Sequence, residues 1–317
     1  MTILEPELGA IAGPDVAAVA DACASSQVTF VRHLAASVAT VTEPDVVAVA
    51  EAARRAVGER GLRSVALQAW RAGDHDLAAE DVRAAAARHL ADDGVDVRRS
   101  GCAVNVGLCL AASGAHVCVT PAHLALSDWP GGRIRLARRA ERISRSEFKL
   151  EELFTLVPPP DGRGRRALDL GASPGGWTRV LRARGFEVWA VDTGALHPSL
   201  ASDPLVRPFA KTAGRFLAET DVGEGFDVIV NDMRMVPATS CDLMVAAARR
   251  VVPGGTIVVT LKVDSRSPVR DVRRSLGSLG RAYEVVFARQ LFHNRNEVTV
   301  VAQRPSDAAG QPRITTR

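Results

Sequence analysis

Lysine is scarce in this chain, and its scarcity marks where chemistry could sit. Of 40 Lys and Arg residues only Lys149, Lys211 and Lys262 are lysine. Arginine keeps its proton, whereas a lysine that is desolvated or set beside another cation can release one and act as a base. Lys262 closes the strand-like run TIVVTLK, and Asp232 closes the run FDVIVND in the same layer. In an α/β sheet, ligands bind at the carboxyl ends of strands. An amine there suits deprotonation of a poor oxygen nucleophile such as a ribose 2'-hydroxyl, either as general base or by stabilising the developing alkoxide. Asp232 and Glu297 are the carboxylates that could orient it. Taken singly, Lys262 reads equally as a strand-end surface charge and Glu297 as a hairpin charge. The case rests on the set.

A second constellation lies in LDLGASPGGWTRV, residues 168–180. An apolar run with one acid stops at Gly171, crosses Ser173, Pro174, Gly175 and Gly176, and reopens as a helix at Trp177. A strand, a glycine turn and a helix form a nucleotide site, because missing side chains let a ligand approach backbone N–H groups at the helix start. The dinucleotide fingerprint asks for glycine where Ser173 stands, so a pyrophosphate fits poorly. A ligand without phosphate, whose amino-acid end runs along the turn, fits better, and S-adenosylmethionine is the commonest of these. Asp192 ends the next strand-like run, 21 residues after Gly171, where an acid can take the ribose hydroxyls of an adenosine.

The elements that position these residues alternate as in a doubly wound sheet. Strand candidates are 166–171, 186–192, 226–232, 256–263, 283–292 and 297–303, with helical patterns in WTRVLRARG and CDLMVAAARRV. Only HNRN separates the last two, so they pair as an antiparallel hairpin. By fold analogy, that ending favours a methyltransferase sheet over a dehydrogenase sheet. The first half differs: a strand-like SVALQAW (64–70), a helical stretch 77–94, then strand-like 95–112 and 115–121, an α+β order. The expected organisation is an N-terminal α+β segment (1–60), an α+β domain (61–125), a basic connecting segment (126–150), an α/β domain (151–304) and a disordered tail (305–317).

Composition narrows the classes. With 317 residues, 47% of them hydrophobic, the chain can fill two domain cores. No run of 18 apolar residues occurs and the first basic residue is Arg32, so neither a membrane span nor a signal peptide is expected and the cytoplasm is the default. Five cysteines, never spaced C-x-x-C, argue against a disulfide framework and a zinc site. No His, Cys or acid cluster has metal-ligand spacing, so no metal is implied. The net charge of +4 is modest, but seven basic residues (Arg133, Arg135, Arg138, Arg139, Arg142, Arg145 and Lys149) face two acids just before the glycine turn. Beside a catalytic domain that run suits phosphate contact.

From Ser144 to Arg304 the chain resembles the FtsJ-like RNA 2'-O-methyltransferases, whose catalytic tetrad is Lys, Asp, Lys, Glu in chain order. SRSEFKLEELF supplies Lys149, VNDM Asp232, TLKV Lys262 and NRNEVTVV Glu297. SDWPGGRIRLARRAERISRSEFKLEELF and ARQLFHNRNEVTVV look like the bacterial 23S rRNA 2'-O-methyltransferase M family, which modifies a cytidine ribose. The resemblance implies a Rossmann-like S-adenosylmethionine-dependent sheet, RNA as partner and the central lysine, Lys262, as proton acceptor. It also implies cofactor contacts at Ser146, Gly171, Ser173, Pro174, Gly175, Gly176, Trp177, Asp192 and Asp232. Where the family has an acid for the adenine edge, FAKTAGRF places Thr212, which could still hydrogen-bond the adenine amine. Residues 61–125 resemble the family's THUMP-like RNA-binding domain in element order, with a shortened segment before them.

Other functions explain less. A small-molecule O-methyltransferase leaves the basic run and the tetrad without purpose. A nicotinamide oxidoreductase lacks its expected Tyr and Lys pair, the only tyrosine being Tyr283 in a strand. A silent RNA-binding module has no need of Lys262 or Asp232. Another RNA, transfer or 16S, stays open as substrate.

Overall fold

The computed structural model describes residues 2–5, 8–10, 15–25, 28–137, 142–263 and 266–306. The chain divides into two compact units, Met1–Arg135 and Leu136–Arg317.

In the first unit β1 (Thr2–Glu5) and β2 (Leu8–Ala10) pair antiparallel and precede α1 (Val16–Ala24). Then come β3 (Ser37–Val41), α2 (Val46–Gly58), β4 (Ser64–Ala72), α3 (Ala79–Asp92), β5 (Asp96–Arg98), β6 (Val104–Ala111) and β7 (Gly114–Pro121). Asp45 caps α2 by accepting from Ala48 N at 2.7 Å. Along α2, Val49, Ala50, Ala53, Ala56 and Val57 recur at helical spacing and bury against Leu67 of β4 and Val106 and Leu108 of β6. The sheet order is β3-β7-β6-β4-β5, with β4 parallel to both its neighbours and the rest antiparallel. The expected boundary at residue 60 is therefore corrected. Strand β3 is one edge of this sheet and α2 is half of its helical cover, because apolar faces on either side of residue 60 have only each other to bury against.

In the second unit the elements are α4 (Glu147–Leu156), β8 (Arg166–Leu170), α5 (Gly176–Arg182), β9 (Glu187–Asp192), α6 (Pro198–Ala201), β10 (Val206–Ala210) and α7 (Ala213–Glu219). They continue with β11 (Phe226–Asn231), α8 (Pro237–Ala246), β12 (Val251–Lys262), α9 (Pro268–Leu279), β13 (Glu284–Arg289) and β14 (Glu297–Gln303). The order β10-β9-β8-β11-β12-β14-β13 is parallel up to β12 and antiparallel across β14 and β13, a Rossmann-like sheet. Strand β10 falls outside the expected strands. Three of its five residues are exposed, as an edge permits, and it includes a proline. Strand β12 begins five residues earlier than its apolar run suggests, and the link from β13 to β14 is longer than HNRN, spanning 290–296. The expected connecting segment 126–150 is divided: its residues 142–150 lie in this unit, and α4 buries Leu150 and Leu153 in the core. Of the expected tail, 307–317 lie outside the described residues.

A chain beginning at Gly61 should lose the first unit's cooperative unfolding, since it lacks β3 and α2. Urea denaturation followed by circular dichroism checks this: retention of both transitions would show residues 1–60 to be dispensable.

Candidate active site

The carboxyl ends of β8, β9, β11 and β12 meet the start of β14 at one edge of the sheet, and the expected chemistry gathers there. Lys262 and Glu297 are direct partners in the antiparallel register of β12 and β14. Asp232 follows the last residue of β11, whose Asn231 pairs with Val259 of β12. Lys149 comes from the first turn of α4.

The four side chains form a closed ring of charge. Lys149 Nζ donates to Asp232 Oδ1 and Oδ2 at 3.0 and 3.1 Å and lies 2.7 Å from Glu297 Oε2. Lys262 Nζ lies 2.8 Å from Asp232 Oδ1 and 3.2 Å from Glu297 Oε1. Each is mostly shielded, with side-chain exposures of 14% for Lys149 and 21% for Lys262. Burial acts to lower the Lys149 ammonium, but Asp232 and Glu297 together outweigh it and hold Lys149 above its ordinary value. Lys149 is thus kept charged.

Two further residues complete the ring, and the sequence reading missed both. Thr260 Oγ1 donates to Asp232 Oδ1 and accepts from Lys262 Nζ, each at 2.6 Å. Asn294 Nδ2 donates to Glu297 Oε2 at 3.2 Å. Thr260 sits two residues before Lys262 on one strand, so the period-two rule was an available signal. Asn294 has only its nearness to Glu297 in the chain.

The glycine turn is tied to the end of β9 by Asp192. Its carboxylate accepts from Ser173 N at 3.0 Å and from Gly194 N at 2.8 Å, while Ser173 Oγ donates to the carbonyl of Ala195 at 2.8 Å. Gly171 has φ +79°, and a Cβ there would come within 2.1 Å of Met233 Cγ. At Gly176 the limit is close approach: a Cβ would lie 2.1 Å from Ser144 Oγ and 2.7 Å from Ser146 Oγ. The SRS segment therefore packs directly on the start of α5, and Trp177 Nε1 donates to the Ser146 carbonyl at 2.9 Å.

Beneath the turn Asp169 is buried, with Thr178 Oγ1 donating to its Oδ2 at 2.7 Å. Burial, helped by the Asp232 and Asp192 charges and opposed by Thr178, pushes its carboxyl up to about 7. Glu147 is another buried acid the sequence reading passed over. It accepts from Ile143 N at 2.6 Å, Ser144 N at 3.0 Å and Arg179 Nε at 2.9 Å, which fixes the SRS segment to α5.

Several of the expected residues also serve the fold. Trp177 is 3% exposed within the core, so its ring supports the turn from below. Thr212 Oγ1 caps α7, accepting from Arg215 N at 3.4 Å. Arg142 is not presented for phosphate: its guanidinium stacks 3.7 Å from the Phe148 centroid, donates to Glu151 Oε2 at 2.9 Å and to the Ala137 carbonyl at 2.9 Å. Arg145 and Arg135 are exposed, Arg133 is half-buried, and Arg138 and Arg139 lie outside the described residues. Lys211 pairs with Glu219 at 3.4 Å on the surface. Among the described residues no group of His, Cys, Asp and Glu has the arrangement of a metal site.

Residues 142–273, which hold this turn and three of the four ring residues, match the family described as FtsJ-like methyltransferase. Over that stretch the chain is similar to FtsJ-like methyltransferases. Relatives named ribosomal RNA large subunit methyltransferase M match it in Halorhodospira halophila (40% identical over 181 residues, 56% of this chain and 51% of the relative) and Laribacter hongkongensis (34% over 199 residues, 59% and 55%). A third, from Edwardsiella ictaluri, is 36% identical over 184 residues, 54% of this chain and 47% of the relative. The chain spans about half the length of these curated relatives.

Asp169 supplies a pH test of the domain. Its raised folded value means the native state binds a proton that the unfolded chain has released, so this contribution is complete below about pH 4 and is lost as pH rises toward 7. Asp169→Asn, which keeps an acceptor for Thr178, should gain stability relative to the parent between pH 5 and pH 8 by on the order of 1–2 kcal/mol. Urea midpoints at the two pH values read it; a difference independent of pH would refute the buried neutral acid.

Proposed function

We propose that this chain is an S-adenosylmethionine-dependent RNA ribose 2'-O-methyltransferase, with a cytidine of 23S rRNA as its target. The observation that carries the reading is the ring itself: two lysines share two carboxylates beside a glycine turn, and one lysine is held charged. Lys149 stays a fixed ammonium, Asp232 and Glu297 aim both amines, and Lys262 takes the proton of the 2'-hydroxyl as the new O–C bond forms.

S-adenosylmethionine supplies the electrophilic methyl when bound. The residues of the turn fit it by charge. The Asp192 carboxylate sits directly on the turn, accepting from Ser173 N and Gly194 N, which favours a cationic sulfonium and disfavours a pyrophosphate. Asp192 would hold the ribose hydroxyls, and Gly171, Ser173, Pro174, Gly175 and Gly176 would line the amino-acid end, with Ser146 behind them.

RNA as substrate is supported by the rim. The two carboxylates of the ring at least offset its amines, so attraction for phosphate must come from elsewhere. The segments 142–146, 233–240 and 290–296, beside Lys149, Asp232 and Glu297, contain no acid. Arg145, Arg234 and Arg295 within them are exposed and lie within four residues of Lys149, Asp232 and Glu297. Elsewhere in the unit Arg165, Arg182, Arg207 and Arg215 are paired with acids. The first unit, with its THUMP-like element order, would grip RNA in the cytoplasm and present an unpaired nucleotide.

Incubation with labelled methyl donor and unmodified 23S, 16S and transfer RNA, followed by mapping of ribose methylation, tests the reading. The label is expected on a 23S ribose; base methylation would overturn the chemistry. Lys262→Ala should lower the rate by about 10²–10⁴-fold with cofactor affinity kept, and Lys262→Arg nearly as much, since the charge survives without a removable proton. Full activity in the arginine variant excludes the base role. Alanine at Arg145, Arg234 or Arg295 should each reduce the salt dependence of single-stranded RNA binding by roughly one phosphate contact, a log–log slope change of about 0.7.

A further inference from the structure

Glu152 lies one helical turn after Lys149 on α4, and its carboxylate is 5% exposed. It does not touch the ring. Its oxygens are spent on the loop before β14: Oε1 accepts from Phe292 N at 2.7 Å, and Oε2 from His293 N at 2.9 Å and His293 Nδ1 at 2.7 Å. The His293 ring then stacks on Phe148, with centroids 4.9 Å apart and planes 8° from parallel. The same loop carries Asn294, whose Oδ1 accepts from Leu291 N at 2.8 Å and Thr299 Oγ1 at 3.0 Å, and whose Nδ2 holds Glu297.

We infer that Glu152 is a positioning residue: it clamps α4 to the 290–296 loop and so sets the approach of Lys149 to Glu297, the contact that closes the ring. Apolar packing of Leu150, Leu153 and Leu291 holds the same elements together but is non-directional. Three hydrogen bonds to one buried carboxylate fix the loop in one place, and a buried acid with every partner satisfied is costly to disturb. Displacement of reacting groups by about 1 Å is worth about 10²-fold in rate, so the clamp acts on kcat and leaves the cofactor turn alone.

The inference rests on the ribose-methylation reading for its rate effect but not for its geometry, and the test separates the two. Glu152→Gln keeps the size of the side chain while turning an NH2 toward backbone donors. It should lower kcat about 10–100-fold with the S-adenosylmethionine Kd and KM for RNA little changed. Asn294→Ala loosens Glu297, the partner that the Glu152 clamp brings to Lys149, so the double variant should be little worse than the poorer single; multiplying effects would overturn the clamp. With only three lysines in the chain, 13C-labelled lysine side chains can be followed by NMR. The Lys149 titration midpoint should fall in Glu152→Gln while that of Lys211 stays, and an unmoved Lys149 sinks the inference. A parent enzyme that methylates no ribose, combined with a moved Lys149, would overturn the proposed function and leave the clamp standing. Should Glu152→Gln fail to fold, His293→Ala, which leaves the backbone bonds of Glu152 in place, should show the same pattern at smaller size; no change in kcat or in Lys149 counts against the clamp.

Discussion

One carboxylate organises the second unit's chemistry. Asp232 Oδ1 receives three donors, Lys149, Lys262 and Thr260, all within 3.0 Å. Buried cations are costly unless paired, so two ammonium groups can share this small space only because Asp232 and Glu297 stand between them. Charge-assisted hydrogen bonds also fix direction, which surface ion pairs do not. The result is a pair of amines with unequal partners, one enclosed at the start of a helix and one at the end of a strand.

The scaffold for that arrangement is layered. Parallel strands bring β11 and β12 to one edge in fixed register, and the antiparallel return of β14 delivers Glu297 opposite Lys262. Lys149 alone comes from outside the sheet. Its helix must therefore be held by contacts of its own, and buried acids provide them: Glu147 toward α5 and the SRS segment, Glu152 toward the loop before β14. Acids that look like surface charges in a helix sequence are here internal ties.

Much of this was legible in the sequence, for identifiable reasons. The sheet edge was marked because apolar runs end in charged residues: Asp192, Asp232 and Lys262 each terminate or follow one. Lysine rarity in an arginine-rich chain singled out two of the ring residues. What could not be read were interactions between elements far apart in sequence. Thr212 serves as a helix cap and Arg142 stacks on Phe148, and the Arg142 stack has no pattern in the sequence that would announce it. Strand β10 has no apolar alternation because an edge needs none, and the tie of α2 to the sheet beyond residue 60 shows only once the strands are paired. Glu152 lies 140 residues from its hydrogen-bond partner at Phe292, beyond the reach of any spacing rule.

The pairing of Lys262 with Glu297 in the β12–β14 ladder has a consequence for how such a domain can change over time. Side chains on a strand alternate between faces, so deletion of a single residue near the beginning of β14 would turn Glu297 to the opposite face and remove one of the ring's two anions. The outlying loops on the far edge of the sheet carry no such penalty. Tolerance for changes in length should therefore be distributed unevenly, generous around β10 and strict around the final return strand.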